Sequence, residues 1–463
     1  MFDERNLCLL LDSYKITQWQ QYPPNTTNIY SHRVPRGGLF EAVTDFGLTY
    51  SLKKYFQTPV TRENVAEAYS FCADHFGSVK IFNWNGWQHV LNKHGGFIPL
   101  RIKSVPEGMT IPVKNVFTTI ENTCPECYWV TNYFETLLMQ SWYPATVCTY
   151  SRECKKVIKK YLELTADTLD GLEFKLVDFG VRGVGTMEEA EIGGMAHLVN
   201  FKSTDNMPSI MKCRQYYNER MAGFSIPASE HSTIVSWEQG GEVDAYANMI
   251  SKYSDQPLYA CVSDSYDINR ACDEYWGKIL KNKVLAGKGT LVVRPDSGDP
   301  VDVDLECLES LGRNFGVSVN SKGYKVLHPK VRLIQGDRVD YFMIGEILEE
   351  MMRKHWSAEN ISFGSGGKLL QDLNRDTQEW KIACSSAVVE GNERPVFKSP
   401  KNGNKTSKKG RLGLYTNGVT HDGKQHYITR EEGRHDDILQ LVYENGELFN
   451  TPKFSEIRER AAV

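Results

Sequence analysis

Five short apolar runs between residues 175 and 369 each end in polar, charged or glycine residues that could do chemistry. The clearest is Leu291 to Pro300, LVVRPDSGDP, which brings Arg294 and Asp296 directly after a β-branched segment. β-branched residues favour strands, and Pro295 cannot donate to a sheet ladder, so we expect a buried strand to end there. The pattern therefore predicts that a cation, a carboxylate and a hydroxyl stand together at the carboxyl end of a strand.

The other four runs have the same form: KLVDFGVRG at 175–183, YACVSDSYD at 259–267, VRLIQGDRVD at 331–340 and ISFGSGGKL at 361–369. In parallel sheets and barrels, ligands bind beyond the carboxyl ends of the strands. Asp and Gly after a strand are also ordinary turn residues, and for any single run that interpretation is the better one. Five such ends, with two arginines among them, predict one concave polar binding site at the carboxyl end of one barrel-like sheet.

Two further motifs could contribute to this binding site. Gly364 to Gly367 follows an apolar run and precedes another, so its amides could bind phosphate at a helix start, or could simply form a tight turn. His231 has a carboxylate before it and two hydroxyls after it, which favours acid, base or nucleophile chemistry over a structural role. The sequence has neither a P-loop nor a G-x-G-x-x-G fingerprint. Residue types alone predict an enzyme acting on a phosphorylated small molecule, with these main candidates: Arg294, Arg182, Asp296 and the glycine turn.

Length and composition bound the class of protein. The chain has 463 residues, of which 41% are hydrophobic and 24% charged, as expected for a soluble globular protein of two domains. Its net charge of −4 gives no general attraction for nucleic acid or anionic membranes. The sequence has no export signal and no apolar span of about 20 residues. We therefore expect a cytoplasmic protein without nucleic-acid or membrane partners.

The 11 cysteines are scattered and odd in number, which favours reduced thiols over a disulfide framework. Cys124 and Cys127 form a C-x-x-C pair. A structural zinc site needs four ligands, usually from a second pair of this kind, and the chain has no second pair. The sequence therefore does not favour zinc at this position.

The elements that must position these residues change along the chain. Residues 1–145 are short runs broken by turn formers, with a capped amphipathic helix from Thr61 to Phe76. A second helix is predicted from Ser151 to Leu164, and beyond about residue 170 strand-like runs alternate with helical ones, which indicates βαβ units and a parallel sheet. We expect an α/β barrel over 146–384, flanked by a β-rich domain with helical insertions made of 1–145 and 385–463. Segment 400–413 is basic, and a solvated loop and a phosphate contact are both open for it.

A series of motifs resembles the nicotinamide phosphoribosyltransferase family, in the same order and over about residues 10–460, and most closely its bacterial or phage members. They are LDSYK at 11–15, QYPPNT at 21–26, ENTCPECYWVTNY at 121–133, QSWYPATV at 140–147, DFGVRGV at 178–184, HLVNFKSTD at 197–205, PASEHSTI at 227–234, SDSYDI at 263–268, RPDSGDP at 294–300, IQGD at 334–337, FGSGG at 363–367 and SKKGRL at 407–412. The resemblance implies an irregular α/β barrel of the type II phosphoribosyltransferases with a β-rich second domain. It also implies that a homodimer with shared active sites condenses nicotinamide with 5-phosphoribosyl 1-pyrophosphate to nicotinamide mononucleotide and pyrophosphate.

The resemblance also implies roles for individual residues. The nicotinamide site would comprise Phe179 stacked on the pyridine ring, Tyr14 of the other subunit on its opposite face, Arg182 at the carboxamide oxygen, Asp205 at its NH₂, and Asp12. The ribose, phosphate and pyrophosphate would be held by Arg294, Asp296, Arg332, Gly336, Asp337, Gly366, Gly367 and, from the other subunit, Arg36, Arg375 and Lys398. The catalytic set would be His231, Asp296, Arg294 and Asp264.

The resemblance implies two cofactors. ATP would phosphorylate His231 and so couple its hydrolysis to turnover, and Mg²⁺ would lie near the pyrophosphate. The metal ligands are left open, with Asp264 and Asp296 as candidates. The chain departs from the family at a Ser-x-Lys pair expected just before Cys384, because Ala383 occupies the lysine position. Lys381, two residues earlier and on the same face of a strand, could substitute for it.

Two alternatives stay open at this point. Nicotinate phosphoribosyltransferase is the nearest in chemistry, because only the substituent on the pyridine ring differs. A catalytically silent binding or signalling protein on the same scaffold is the alternative from another class. The presence of His231, Arg294, Asp296 and Asp205 argues against a silent scaffold.

Overall fold

The computed structural model describes residues 5–401, 407–419 and 425–463. The chain forms two compact units: one comprises the chain up to Thr149, Tyr216–Asn218 and Asn374–Ala461, and the other comprises Tyr150–Gln215, Glu219–Leu373 and Ala462–Val463. Along the chain these units change at 149/150 and at 373/374, whereas the expected limits are 145/146 and 384/385, and the second limit differs more. The reason is that the strand Trp380–Val389 pairs along its length with Thr26–Pro35 and so lies wholly in the first unit.

The first unit is built on an antiparallel sheet of seven strands within the described residues. Their order across the sheet is Asn392–Pro395, Trp380–Val389, Thr26–Pro35, Thr118–Asn122, Leu100–Ser104, Gln440–Glu444 and Glu447–Leu448. Two smaller pairs join Ala42–Thr44 to Thr110–Pro112 and Leu412–Val419 to Gln425–Glu431. The sheet confirms the expected β-rich part formed by both ends of the chain.

The helices of this unit cover the sheet and enclose an aromatic core around Trp87, Phe134 and Tyr443. Thr61 caps the helix Arg62–Phe76 by accepting a hydrogen bond from the backbone N–H of Asn64, as the sequence predicts. The other α-helices are Leu48–Ser51, Trp84–His94, Val130–Tyr133, Glu135–Met139 and Phe454–Ala461, with a π-helix at Leu52–Phe56 and 3₁₀ turns at Leu7–Leu9, Ser13–Gln20, Val79–Ile81, Pro125–Cys127 and Arg375–Gln378.

The second unit contains the five strand-like runs that the sequence singled out, and all five lie in one parallel sheet. Their order is Leu176–Asp178, Ile361–Ser365, Val331–Gln335, Thr290–Arg294 and Leu258–Val262. Single parallel bridges continue from the first of these strands to the last, joining Asp178 to Thr204, Ser203 to Phe224 and Ala228 to Ala260. The sheet thereby curls into an irregular barrel, which confirms the predicted fold class.

The helices that connect the barrel strands give the expected α/β alternation. They are Met187–Leu198, Met207–Tyr217, His231–Val235, Glu242–Tyr253, Ile268–Arg270, Lys281–Ala286, Pro300–Phe315, Tyr341–Arg353 and Gly367–Leu370, with a π-helix at Ala271–Ile279, 3₁₀ turns at Leu172–Phe174, Gly180–Arg182, Gln239–Gly241 and Ala358–Asn360, and a small hairpin of Val317–Val319 with Lys325–Leu327. The helix predicted from residue 151 is Trp142–Thr165 and continues from the first unit into the second.

A layer of small and branched side chains lines the barrel interior. Ala260, Val292 and Ile334 come from three neighbouring strands and pack together with Val177 and Phe179. Alternation along a strand means that residues two apart point to the same side. In each strand, the side chains that point into the barrel are therefore apolar in this layer and polar at the carboxyl end. Within the described part of the chain, no helix is long and apolar enough to cross a bilayer.

Candidate active site

Two carboxylates stand side by side beyond the ends of two neighbouring barrel strands. Val262 and Arg294 are the last residues of these strands and pair in parallel register. Asp264 and Asp296 each lie two residues further on, so the shared register carries both to the same edge of the barrel. Arg294 Nη2 donates a hydrogen bond of 2.6 Å to Asp296 Oδ1. The structure thus brings together an arginine and two acids that the sequence reasoning proposed from separate motifs.

His231 lies against both carboxylates. Its Nε2 is 3.0 Å from Asp264 Oδ1, and its Nδ1 is 3.9 Å from Asp296 Oδ2. The second oxygen of Asp264 accepts a hydrogen bond of 2.5 Å from Ser297 Oγ, which fixes the carboxylate in place. The imidazole is 45% exposed and can be reached by a large phosphorylated ligand. A histidine oriented by one carboxylate through one ring nitrogen can use the other nitrogen as a nucleophile.

Phe179 forms the floor of the site at the end of its strand. Its backbone N–H donates to the carbonyl of Ser365 at 2.9 Å, and its ring lies directly over Gly364, where an added Cβ would come within 1.9 Å of the ring. The guanidinium of Arg294 is 5.4 Å from the ring centroid. Arg294 Nε is buried and has no hydrogen-bond partner among the described residues. A planar aromatic ligand and an anion would satisfy these two groups.

Asp205 is held at the rim by the backbone and by a hydroxyl. Its N–H donates to the carbonyl of Asp178 at 3.0 Å, and Ser225 Oγ donates to its carboxylate Oδ1. Asp178 itself is fully buried and accepts hydrogen bonds from Asn206 Nδ2 at 2.9 Å and from the N–H of Gly180 at 2.7 Å. Burial raises the pKa of Asp178 to about 6, against the effect of these donors. Sequence reasoning missed Ser225 and Asn206, because their partners lie in other segments and no motif marks them.

A cavity of about 1300 Å³ runs along the barrel and opens at this rim. Phe179, Arg182, Asp205 and Arg294 line it at the carboxyl ends of the strands. Arg182 is exposed, and its guanidinium makes no hydrogen bond or ion pair within the described ranges. The cavity therefore offers a flat aromatic surface with an unpaired cation and a carboxylate beside it.

The glycines predicted to approach a phosphate lie in two turns beside Phe179. A Cβ at Gly336 would meet Arg294 Nε at 3.2 Å, and Gly367 packs within 3.2 Å of the Cβ position of Gly183. Gly366 precedes the single helical turn Gly367–Leu370. Asp337 follows Gly336 and forms an ion pair with Arg338 at 2.9 Å. These turns bring the backbone close to the site without side chains in the way.

Arg332 does not join the other predicted residues. It is the second residue of the strand Val331–Gln335, so it lies at the amino end of the cavity, opposite the rim that holds Arg294. Its Nη1 donates to the carbonyls of Leu327, His328 and Val331. The expected place beside the ribose and phosphate is therefore wrong for this residue, because the strand direction takes it away from them. The family resemblance alone had implied that place for Arg332.

Buried Lys175 lines the same amino end of the cavity and was not predicted. Its Nζ donates to the carbonyls of Glu359 at 2.9 Å and Ile361 at 2.7 Å. Burial, followed by the nearby charge of Arg332, lowers the pKa of Lys175 to about 7. Two cations therefore lie at the end of the barrel remote from His231.

The remaining predicted residues belong to the first compact unit. Asp12 accepts a hydrogen bond of 2.6 Å from Thr136 Oγ1, and Tyr14 is exposed in the turn Ser13–Gln20. Arg36 Nε donates to the carbonyl of Glu379 at 3.1 Å. Arg375 is exposed at the start of a 3₁₀ turn, and the backbone N–H of Lys398 bonds to Ser407 Oγ at 3.0 Å. Part of the basic segment 400–413, namely residues 402–406, lies outside the described residues.

Lys381 lies close to two of these cations within the first unit. It pairs with Val34 on the neighbouring strand, two residues before Arg36. Burial lowers the pKa of Lys381, and the charges of Lys398 and Arg36 lower it further. The nearby carboxylate of Glu135 opposes this shift but does not cancel it. The first unit therefore has a basic cluster, defined here as Arg36, Lys381 and Lys398.

The fold of this chain also occurs among solved structures. Nicotinate-nucleotide pyrophosphorylase from Pyrococcus furiosus is similar in fold, with a TM-score of 0.61 at 15% identity, covering 100% of this chain and 96% of that one. Human nicotinic acid phosphoribosyltransferase matches with a TM-score of 0.58 at 14% identity, covering 98% and 93%. At these identities the likeness is one of fold.

Sequence similarity is more specific. The model of the nicotinate phosphoribosyltransferase (NAPRTase) family matches residues 174–447, and the model of the nicotinamide phosphoribosyltransferase N-terminal domain matches residues 6–102. The chain belongs to the nicotinate phosphoribosyltransferase family. Within it, the chain is 42% identical to a nicotinamide phosphoribosyltransferase of Xanthomonas campestris pv. campestris, over 98% of both chains. It is 28% identical to a nicotinamide phosphoribosyltransferase of Acinetobacter baylyi, over 98% and 96%.

Proposed function

We propose that this protein is a nicotinamide phosphoribosyltransferase, which transfers the phosphoribosyl group of 5-phosphoribosyl 1-pyrophosphate to nicotinamide in the biosynthesis of NAD. The observation that carries the proposal is the meeting of Phe179, Arg294, Asp296 and His231 at one rim of the barrel. These groups supply an aromatic surface, a cation for phosphate, a carboxylate for ribose and a nucleophile. The similarity to nicotinamide phosphoribosyltransferases over the whole chain supports the same assignment.

The base would lie on Phe179 with its carboxamide towards the rim of the cavity. Arg182 has free donors for the carboxamide oxygen, and Asp205 has an acceptor for the NH₂ group. Ser225 already donates to Asp205 Oδ1, which leaves Oδ2 for the ligand. The pyridine nitrogen that attacks the sugar needs no base, only positioning, and stacking provides it.

The charges that develop during the reaction are complementary to the charged side chains at this rim. Cleavage of the bond from ribose C1 to pyrophosphate builds positive charge on the sugar and negative charge on the leaving group. Asp296 is placed to tolerate the cationic sugar and to accept its hydroxyls, together with Asp337. Arg294, whose buried Nε lacks a partner among the described residues, is placed to bind a phosphate oxygen.

The acids at the rim fit a hard divalent cation. Asp264 and Asp296 present carboxylate oxygens on either side of one imidazole, and such oxygens are the ligands that Mg²⁺ prefers. When bound, Mg²⁺ neutralises charge on pyrophosphate. His231 would accept a phosphoryl group from ATP, with Asp264 holding Nε2 and leaving Nδ1 as the attacking nitrogen.

The basic cluster of Arg36, Lys381 and Lys398 would receive the pyrophosphate. Because its residues and Arg375 and Tyr14 belong to the first unit, we propose a homodimer in which each site combines the barrel of one subunit with the first unit of its partner. Lys381 would take over the contact that the family makes from the position of Ala383. A cytoplasmic location is part of the same proposal.

Nicotinate phosphoribosyltransferase is the second candidate, because Arg182 could pair with a carboxylate and the family model that matches the barrel bears that name. Asp205 favours nicotinamide, since a carboxylate on the base would face a carboxylate on the protein.

The proposal is tested with purified protein, 5-phosphoribosyl 1-pyrophosphate, Mg²⁺ and nicotinamide. We expect nicotinamide mononucleotide and pyrophosphate in equal amounts. The variant Arg294→Lys keeps the charge but loses the paired donors, so its activity should fall strongly while its fold is retained. Failure of the unmodified protein to release pyrophosphate under these conditions would reject the proposed activity.

A further inference from the structure

Four side chains with metal-binding atoms meet in the first unit. His89 and His94 come from the helix Trp84–His94, and Cys124 and Cys127 come from the C-x-x-C segment that follows the strand Thr118–Asn122. One ligand atom from each of the four lies within 4.8 Å of every other. The helix therefore supplies the two ligands that a second C-x-x-C pair would otherwise have to provide.

The spacing fits a tetrahedral metal. With Zn–S bonds of about 2.3 Å and Zn–N bonds of about 2.0–2.1 Å, the ligands of a tetrahedral zinc ion are roughly 3.3–3.8 Å apart. Cys124 Sγ lies 3.4 Å from His89 Nε2, within that range. The 4.8 Å limit on the other separations leaves shifts of about 1 Å, which side-chain rotations can supply.

A second observation indicates that one of these side chains lacks a binding partner. His94 Nε2 is buried, and no hydrogen-bond partner is present for it in the described part of the chain. A buried polar nitrogen without a partner is costly, and a metal ion would satisfy it. Cys124 Sγ, in contrast, has the carboxylate of Glu126 at 3.1 Å, so its thiol has an alternative partner that metal binding would replace.

The surroundings favour a structural site over a catalytic one. Cys127 is fully buried and belongs to the aromatic core, where Trp87 and Trp129 pack with ring centroids 5.1 Å apart. Four protein ligands fill a tetrahedral shell and leave no position for substrate, as in structural zinc sites. The ion would tie the end of a helix to the turn after a central strand of the sheet.

We propose that His89, His94, Cys124 and Cys127 bind one zinc ion per chain as a structural site. Binding releases the two thiol protons to solvent and leaves both sulfurs as thiolates. The inference does not rest on the proposed function, because neither the ligands nor the expected effects involve the barrel.

The first test uses the full chain as purified. Elemental analysis should find one zinc per chain. After removal of zinc with a chelator, titration with cobalt(II) should give one equivalent with the visible bands of tetrahedral cobalt and a thiolate-to-cobalt charge-transfer band. Cobalt should also quench the fluorescence of the neighbouring pair Trp87 and Trp129.

Matched variants locate the ion. Cys124→Ser and His94→Ala should lower the zinc content from one per chain to near zero and abolish the charge-transfer band. Cys384→Ser and His75→Ala replace the same residue types in the same unit outside the cluster and should keep both.

Three results would overturn the site. One is absence of zinc in the purified chain together with absence of a cobalt–thiolate band in the reduced protein. Another is full zinc content in Cys124→Ser. The third is a Cys124–Cys127 disulfide that, after reduction, takes up no metal. The cobalt spectrum of the unmodified protein decides the matter even if the variants fold poorly.

Discussion

Asp264 Oδ1 lies 3.0 Å from His231 Nε2, and this contact determines which ring nitrogen is free. A carboxylate that accepts a hydrogen bond from Nε2 would leave the lone pair of Nδ1 free for the proposed attack on a phosphoryl group. Ser297 holds the other oxygen of Asp264 at 2.5 Å. Contacts from two neighbouring strand ends thus hold the imidazole, as the proposed role of His231 as a nucleophile requires.

Replacement of His231 by alanine should separate ATP use from synthesis. If His231 accepts the phosphoryl group, His231→Ala loses ATP hydrolysis and the stimulation of synthesis by ATP, while some ATP-independent synthesis remains. Rates of mononucleotide formation with and without ATP measure this, with the exposed His75→Ala as the control. Unchanged ATP hydrolysis in His231→Ala would assign the phosphoryl acceptor elsewhere.

A single methyl group at Gly364 should damage the base site. Its Cβ would lie 1.9 Å from the ring of Phe179, so the ring must move. Overpacking of this kind costs about 1–3 kcal/mol, which corresponds to a rise in KM for nicotinamide of roughly 5- to 150-fold. Gly345→Ala is the control, because the nearest atom to its Cβ is Val157 Cγ1 at 3.9 Å. Equal KM values in the two variants would show that Phe179 does not position the base.

Lys175 should make the stability of the protein depend on pH. Its pKa is about 7 in the folded chain and about 10.4 in an unfolded one, so between these values the unfolded state binds more protons and stability rises with pH. From pH 7 to pH 9 this single group contributes about 2 kcal/mol. Denaturant unfolding at both pH values should show this gain in the unmodified protein relative to Lys175→Met. A difference between the two proteins that is the same at both pH values would contradict the lowered pKa.

Shared active sites can be tested by complementation. Arg182→Ala and Arg375→Ala lie in different compact units, and each should be nearly inactive. In a heterodimer of the two, one site carries both lesions and the other carries neither. Such a dimer should recover about half of the unmodified activity, and a statistical mixture roughly a quarter. If both residues of a site came from one chain, exchange of subunits would restore nothing.

The sequence predicts the barrel well because each of its strands is an apolar run with an abrupt polar end. The place of a single residue along a strand is predicted less well. Arg332 belongs to one of the five runs, but it lies at the amino end of its strand, whereas the site residues lie at the carboxyl ends. Contacts between distant segments carry no local signal. His89 and His94 pack beside Cys124 only because a helix docks on the turn after a strand, and Ser225 reaches Asp205 only across a bridge between barrel segments.

The most direct test of the account is the choice between the two bases. Nicotinamide and nicotinate are offered together at equal concentration with 5-phosphoribosyl 1-pyrophosphate and Mg²⁺, and the two mononucleotides are separated and quantified for the unmodified protein and for Asp205→Asn. Because Asp205 accepts from an NH₂ group and repels a carboxylate, we predict that nicotinamide mononucleotide strongly predominates and that the substitution erodes the preference. Equal amounts of the two products, or an excess of nicotinate mononucleotide, from the unmodified protein would contradict the account.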